Sequence, residues 1–394
     1  MITADPAQTI TASCATLTQD SKDVEIKADS AVKLQLLLPG ETADPGTSSG
    51  KTGSPNPQTV GVSTTVVVNL VDKYWNKNNY SPQPQVLLTT TDGYATIGPL
   101  NPNSLSDGTQ TFDITFNSKG NWIVTVSTSD GKNYSPNTSP TVTVNPAAAV
   151  KLQVLLPGEV ADPGSSASGT GKKSGYNPSD WTAGVATTVV VNAVDSRWNV
   201  TSDTPTVTLK ARIDGADDGF AVINPTQTAL SNGTANFNVT VKKAGQNNHT
   251  IVALADGYPD GVSANFTVKP SSAKKLLVVL PGEVRDGGSD PAGTGKKSGF
   301  PPLDWTAGVS TGVVVNLVDD WWNINSTASQ PWVKISTASG SGECYYEVTP
   351  SSAQLVNGIY TFTTKLKTAT TTGWRLEAYT VGATTYTANT SSLV

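Results

Sequence analysis

The sequence predicts an all-β chain of three tandem Greek-key β-sandwich domains in an extended rod, preceded by a two-strand partial domain. Two observations carry this. The first is a stretch that occurs three times: Lys33-Leu34-Gln35-Leu36-Leu37-Leu38-Pro39-Gly40-Glu41 returns at Lys151–Glu159 and at Lys275–Glu283, at offsets of 118 and 124 residues. Each interval of that size can bury its own core, unlike a short solenoid repeat. The second is composition. Charged residues make up 14% and aromatics 7%, while Thr and Val favour strands and Asn, Gly, Pro and Ser favour turns. No stretch sustains a helical period.

The domain boundaries follow as 31–148, 149–272 and 273–394, with residues 1–30 left over. That leftover reads as the last two strands of a preceding repeat. Gln8–Ser13 matches Trp122–Ser127, and Asp23–Ala28 matches Thr141–Pro146. Two strands alone are marginal in water. Either the chain is a piece of a longer one, or the stub completes a neighbouring molecule. Assembly contacts are then expected at Ile10, Cys14, Val24 and Ile26, and at Cys344 near the other end, where an intermolecular disulfide is one option and two free thiols the simpler one.

Within each repeat seven strands are expected. The Lys-Leu strand ends at Pro-Gly and gives way to a long Gly/Pro/Ser loop, at Pro39–Thr59, Pro157–Thr182 and Pro281–Thr306. Loops this long are usually functional or disordered, and their shared sequence argues against disorder. A Val-rich second strand follows at Thr64–Val71, Thr187–Val194 and Thr311–Val318. It runs into Val71-Asp72-Lys73-Tyr74-Trp75-Asn76, matched by Val194–Asn199 and Val318–Asn323. Asp and Asn suit a tight connection, because both bond local backbone and tolerate unusual dihedrals. The Trp is expected to cover the end of the core.

The third strand is expected at Gln85–Thr90, Thr206–Lys210 and Trp332–Thr337, and a short fourth near Ala95–Ile97, Ala221–Ile223 and Tyr345–Val348. Asp107-Gly108, Asn232-Gly233 and Asn357-Gly358 then signal a turn into the fifth strand, whose inner face carries Phe112, Phe237 and Phe362. The last two strands are expected at Trp122–Ser127 with Thr141–Val144, Thr250–Ala255 with Ala264–Val268, and Arg375–Thr380 with Thr385–Ala388. Short connections at Asn145–Ala149 and Lys269–Ala273 predict a semi-rigid rod.

The Val-Asp-x-x-Trp-Asn turn resembles the Asp-x-x-Gly-Asn turn of bacterial Ig-like domains in invasin- and intimin-type proteins, and of filamin-type repeats. Trp stands where those families usually have Gly. The Leu-Pro-Gly-Glu opening with its Gly-rich loop is similar to tandem Ig-like repeats of large bacterial surface proteins. The resemblance implies Ig-like sandwiches in secreted or surface-anchored proteins that act as adhesins, stalks, surface layers or filaments.

Several function classes fit badly. The net charge is −5 with no basic run, which argues against nucleic acid as a partner. No apolar run reaches the length of a membrane span, and no signal peptide is visible in Met1–Ala31. The lone histidine, His249, recurs in no other repeat, and no repeated nucleophile–base set accompanies it. A non-enzymatic structural role is the first expectation, with copies of itself as partner.

Three further candidates remain. Acidic residues recur at loop ends: Glu41, Asp44 and Asp72; Glu159, Asp162 and Asp195; Glu283, Asp286 and Asp319. Oxygen ligands converging near a junction could bind Ca2+, which takes six to eight of them; the competing reading is a set of solvated turn residues. A denser group, Asp214, Asp217 and Asp218, belongs to the second repeat alone. The loop aromatics Tyr176, Trp181, Phe300 and Trp305 could contact another subunit, stack on surface glycans, or fold over their own core. Lys33, Lys151 and Lys275 are expected to snorkel at the sheet edge.

Overall fold

The computed structural model describes residues 3–98, 100–338, 345–382 and 385–394. No helix occurs among them, and the strands are almost all antiparallel. The chain divides into two compact units.

The first unit comprises residues 1–151, 161–173 and 193–203. It opens with a hairpin of Asp5–Cys14 on Leu17–Ile26, with Thr11 opposite Ser21. A sandwich follows. One sheet runs in the order Lys33–Leu37, Ser63–Val71, Thr109–Thr115, Thr96–Gly98. The facing layer holds Asn103–Ser104, Gln85–Thr90, Val124–Thr128 and Asn137–Thr138, and continues as Gly120–Trp122, Val142–Asn145 and Gln58–Thr59. Period-2 alternation puts one face of each strand inside. Leu34, Leu36, Val66, Val68, Val86, Leu88, Phe112, Ile114, Val124 and Val126 meet there in one buried cluster. The Gly-rich loop is ordered and carries its own small hairpin, Glu41–Ala43 on Lys51–Gly53.

The second unit comprises residues 152–160, 174–192 and 204–394. The same plan appears twice more. Lys151–Leu155, Ala186–Val194, Thr234–Thr240 and Val222–Asn224 follow one another in one sheet, and Lys275–Val279, Ser310–Val318, Ile359–Leu366 and Tyr346–Thr349 in another. Their facing layers centre on Thr206–Ile213 with Gly245–Leu254, and on Trp332–Thr337 with Leu376–Val381. Phe237 and Phe362 take the place of Phe112, and all three are at most 1% exposed.

The expected turns form as two-residue loops with both residues left-handed: Asp107-Gly108 at φ 49° and 72°, Asn232-Gly233 at 48° and 75°, Asn357-Gly358 at 51° and 77°. This backbone matches the twist of the strands it joins and favours Asn or Asp followed by Gly. Several strands differ from expectation, among them the sixth of the first repeat, which breaks at Ile123 into Gly120–Trp122 and Val124–Thr128. In the second repeat the sixth strand begins at Gly245, and in the third the last strand is Asn389–Thr390 rather than Thr385–Ala388.

Candidate functional site

The recurring Asp-x-x-Trp-Asn turn is a clasp. Its Asp closes the turn on itself. Asp72 Oδ1 accepts the Tyr74 and Asn76 amides at 2.8 and 2.9 Å. Asp195 Oδ1 accepts those of Arg197 and Asn199 at 2.8 and 3.0 Å. Asp319 Oδ1 accepts that of Asn323 at 2.8 Å. The second carboxylate oxygen takes an amide from the segment that leads into the repeat: Asp29 at 3.0 Å, Ala147 at 3.1 Å and Ser271 at 2.9 Å. All three Asp side chains are buried, so their lone pairs need these partners.

The Asn reaches further. Asn199 Oδ1 accepts the Lys119 amide at 2.8 Å, and its Nδ2 donates to the Asn117 carbonyl at 3.0 Å. Asn323 repeats this on the Ala244 amide (2.8 Å) and the Lys242 carbonyl (2.8 Å). In both cases the gripped segment is the loop between the fifth and sixth strands of the preceding sandwich. Asn76 Oδ1 accepts the Ala4 amide at 2.7 Å, just before the N-terminal hairpin. A second contact, Tyr94 OH to Asp162 Oδ1 at 2.6 Å, accompanies the Asn199 clasp. Around Asp72, burial pushes the carboxyl up, but the hydrogen bonds from Asn76, Asp29 and Tyr74 win and hold it below 3.8.

The Trp of the turn pins the Gly-rich loop. Trp75, Trp198 and Trp322 sit at φ 71°, 67° and 63°, a left-handed backbone that ordinarily favours Gly. What holds a Trp there is a stack. Gly50, Gly171 and Gly295 lie flat on one face of the indoles, so close that a Cβ on Gly171 would stand 2.2 Å from Trp198 Cδ2. Lys33, Lys151 and Lys275 place Nζ 3.4, 3.4 and 3.3 Å from the ring centroids. Each indole N–H donates to a loop carbonyl, of Ser48 (3.3 Å), Ser166 (3.1 Å) or Asp290 (3.0 Å). The lysines lie on the edge strands of their sheets, as expected, but their ammonium groups end over the indoles. They make cation–π contacts, and burial pushes each of them below the usual lysine value of 10.5.

Among the described residues no three His, Cys, Asp or Glu side chains converge, so the recurring loop acids are not gathered into one cluster. The acids have other partners. Glu41 pairs with Lys51 at 2.7 Å and Glu283 with Lys296 at 2.7 Å. Glu159 Oε2 caps the Leu156 amide at 2.8 Å. Asp72, Asp195 and Asp319 close the clasps, and Asp162 binds Tyr94. Asp44 and Asp286 use their amides on Gly50 and Gly295, within the loops. Of the Asp214, Asp217 and Asp218 group, Asp217 pairs with Lys210 and Arg212.

The loop aromatics separate. Trp181 is 3% exposed with its ring centroid 4.3 Å from Phe266, so it covers its own core and offers no surface. Trp305 is half-buried against the third core. Tyr176 and Phe300 are 52% and 49% exposed. On the hairpin, Ile10, Val24 and the Cys14 thiol are exposed and Ile26 is half-buried. Cys344 lies outside the described residues.

Fold and clasp together define a chain of repeated Ig-like sandwiches whose successive members are tied by a buried Asp–Asn pair. The chain is similar to solved structures of this kind. One is FdeC, an Escherichia coli adhesin, at 18% identity over 93% of this chain and 99% of that one, TM-score 0.34. Another is InvD of Yersinia pseudotuberculosis, at 15% identity over 84% of each chain, TM-score 0.26. A third is domains 5–6 of the S-layer protein SbsC, at 18% identity over 55% of this chain and 93% of that one, TM-score 0.20. No family model and no curated protein matches the sequence. Among the described residues no helix is long and apolar enough to cross a membrane.

Proposed function

We propose that the chain is a non-enzymatic extracellular structural protein whose tandem Ig-like domains build a filament, sheath or surface layer through head-to-tail contacts between copies. One observation carries this reading. The Ala4 amide meets Asn76 as the Lys119 and Ala244 amides meet Asn199 and Asn323. The hairpin thus engages the first repeat as the end of a sandwich engages the next. It also leaves Ile10, Leu17 and Val24 in water, and a bare two-stranded sheet invites added strands. Head-to-tail contacts that do not close give fibres. Deleting residues 1–30 is expected to abolish polymers seen by negative stain and light scattering while three cooperative domains remain; filaments unchanged by the deletion overturn this mechanism.

A second reading, an adhesin stalk that binds surface glycans or a receptor, rests on Tyr176 and Phe300. These two exposed aromatics occupy equivalent places, each following a left-handed Gly, Gly175 and Gly299. Glycan-array binding lost in a Tyr176→Ala, Phe300→Ala double variant with assembly intact would favour it.

A further inference from the structure

His249 stands where the other two sandwiches have a Trp that staples the gripping loop. The register fixes the equivalence. The Ser139, Ser263 and Ser391 hydroxyls accept the amides of Val124, Ile251 and Leu376. Two residues earlier come Trp122, His249 and Trp374. Trp122 Nε1 donates to the Ser118 carbonyl at 2.7 Å, and Trp374 Nε1 to the Thr368 carbonyl at 2.7 Å. Ser118 lies between the Asn117 carbonyl and the Lys119 amide that hold Asn199. That staple therefore braces the loop that the next repeat grips.

The second sandwich has lost it. His249 is 1% exposed, and neither ring nitrogen has a hydrogen-bond partner. The Lys243 backbone, at the position of Ser118, lies near enough to favour the charged ring without making the full bond that Trp122 makes to Ser118. Four positions separate Gly245 from His249, against two between Gly120 and Trp122. The extra residues form a bulge with Asn247 at φ 51°. The imidazole lies 5.5 Å from the Phe266 ring and so near Gly245 that a Cβ there would stand 2.9 Å from Cε1. The bulge leads directly from the Lys242 carbonyl and Ala244 amide that hold Asn323.

We propose that His249 is a proton-operated release for the Asn323 clasp, so that acid loosens the tie between the second and third sandwiches and spares the tie made by Asn199. A charged imidazole in this buried niche is costly despite the acids that face it, and its route to water passes through the bulge beside the clasp. The groups facing the ring are Asp218, the Lys243 backbone and Asp214, which favour its charge, and the Lys243 ammonium, which opposes it. Burial outweighs the acids and pushes the imidazole below 6.5. With the folded value depressed, the neutral ring stabilises the closed loop above about pH 6.5, and that contribution fades as pH falls below it.

Because the chain has one histidine, its imidazole resonance is unambiguous in a carbon–proton NMR titration. Amide exchange at residues 242–249, corrected for intrinsic rates, is expected to show an opening constant that rises by up to about tenfold per pH unit below pH 6.5, while residues 117–122 stay flat. His249→Phe keeps the ring against Phe266 and should abolish the rise; His249→Trp restores the residue of the other sandwiches and should do the same. Equal pH dependence in both loops, a rise that survives His249→Phe, or an imidazole that titrates at about 6.5 without local opening overturns the proposal.

Discussion

Asn199 and Asn117 lie 82 residues apart, yet the Asn199 side-chain amide donates to the Asn117 carbonyl at 3.0 Å in a buried contact. The carboxylate that orients Asn199, Asp195, is completely buried. Removing one side chain therefore leaves two main-chain groups of the preceding sandwich without partners.

Asn199→Ala is expected to cost about 1–3 kcal/mol, the penalty of an unsatisfied buried group. Protection of the Lys119 amide in hydrogen exchange should fall in step, while strands of the sandwich cores keep theirs. A Lys119 amide as protected as before would show that the clasp contributes nothing at this junction.

Gly171→Ala tests the indole stack. Its Cβ would meet Trp198 Cδ2 at 2.2 Å, and overpacking of that kind costs about 1–3 kcal/mol on top of the strain of a left-handed backbone. Gly175 is also left-handed, at φ 84°, but a Cβ there meets nothing. Urea midpoints of the two Ala variants should differ, with Gly171→Ala the less stable.

The Glu283–Lys296 pair is buried on both sides, at 2% and 9% side-chain exposure. Lys296→Met strands the Glu283 carboxylate and should cost about 3–5 kcal/mol. Adding Glu283→Gln should recover a large part, because both charges are then gone. A double-mutant cycle read by thermal unfolding measures the coupling.

Acid sensitivity should appear at the first clasp. The Asp72 carboxyl is held below 3.8 in the folded chain, so its contribution is complete above that value and is lost as pH falls through the lower, folded one. Asp72→Asn should flatten this part of the acid-unfolding curve. Asp130, held at about 2 by Lys132, acts in the same direction from another surface of the first sandwich.

The sandwich plan was readable because the residues that build it act locally. Alternating Val in the second strands and Asp-Gly or Asn-Gly between fourth and fifth strands impose period and turn. The clasp was only half readable. Asp72 and Asn76 announce a turn through their own backbone bonds, but the partners of Asn199 and Asn323 are main-chain atoms, which leave no trace in side-chain patterns. The recurrence of the loop acids is plain in the sequence, but the pairing of Glu41 with Lys51 and of Glu283 with Lys296 depends on how each loop folds back on itself. Strand Asn389–Thr390 was missed because Thr385–Ala388 has the better β composition, while the bonds that matter start from Ser391.

Because the grip of Asn199 and Asn323 falls on peptide groups, the residues they hold are free to vary, and they do: Asn117-Ser118-Lys119 in one place, Lys242-Lys243-Ala244 in the other. A coupling of this sort is indifferent to the identity of its neighbour. Modules carrying it can be duplicated, lost or reordered without redesigning the joint, so length becomes a property that gene duplication can change one module at a time.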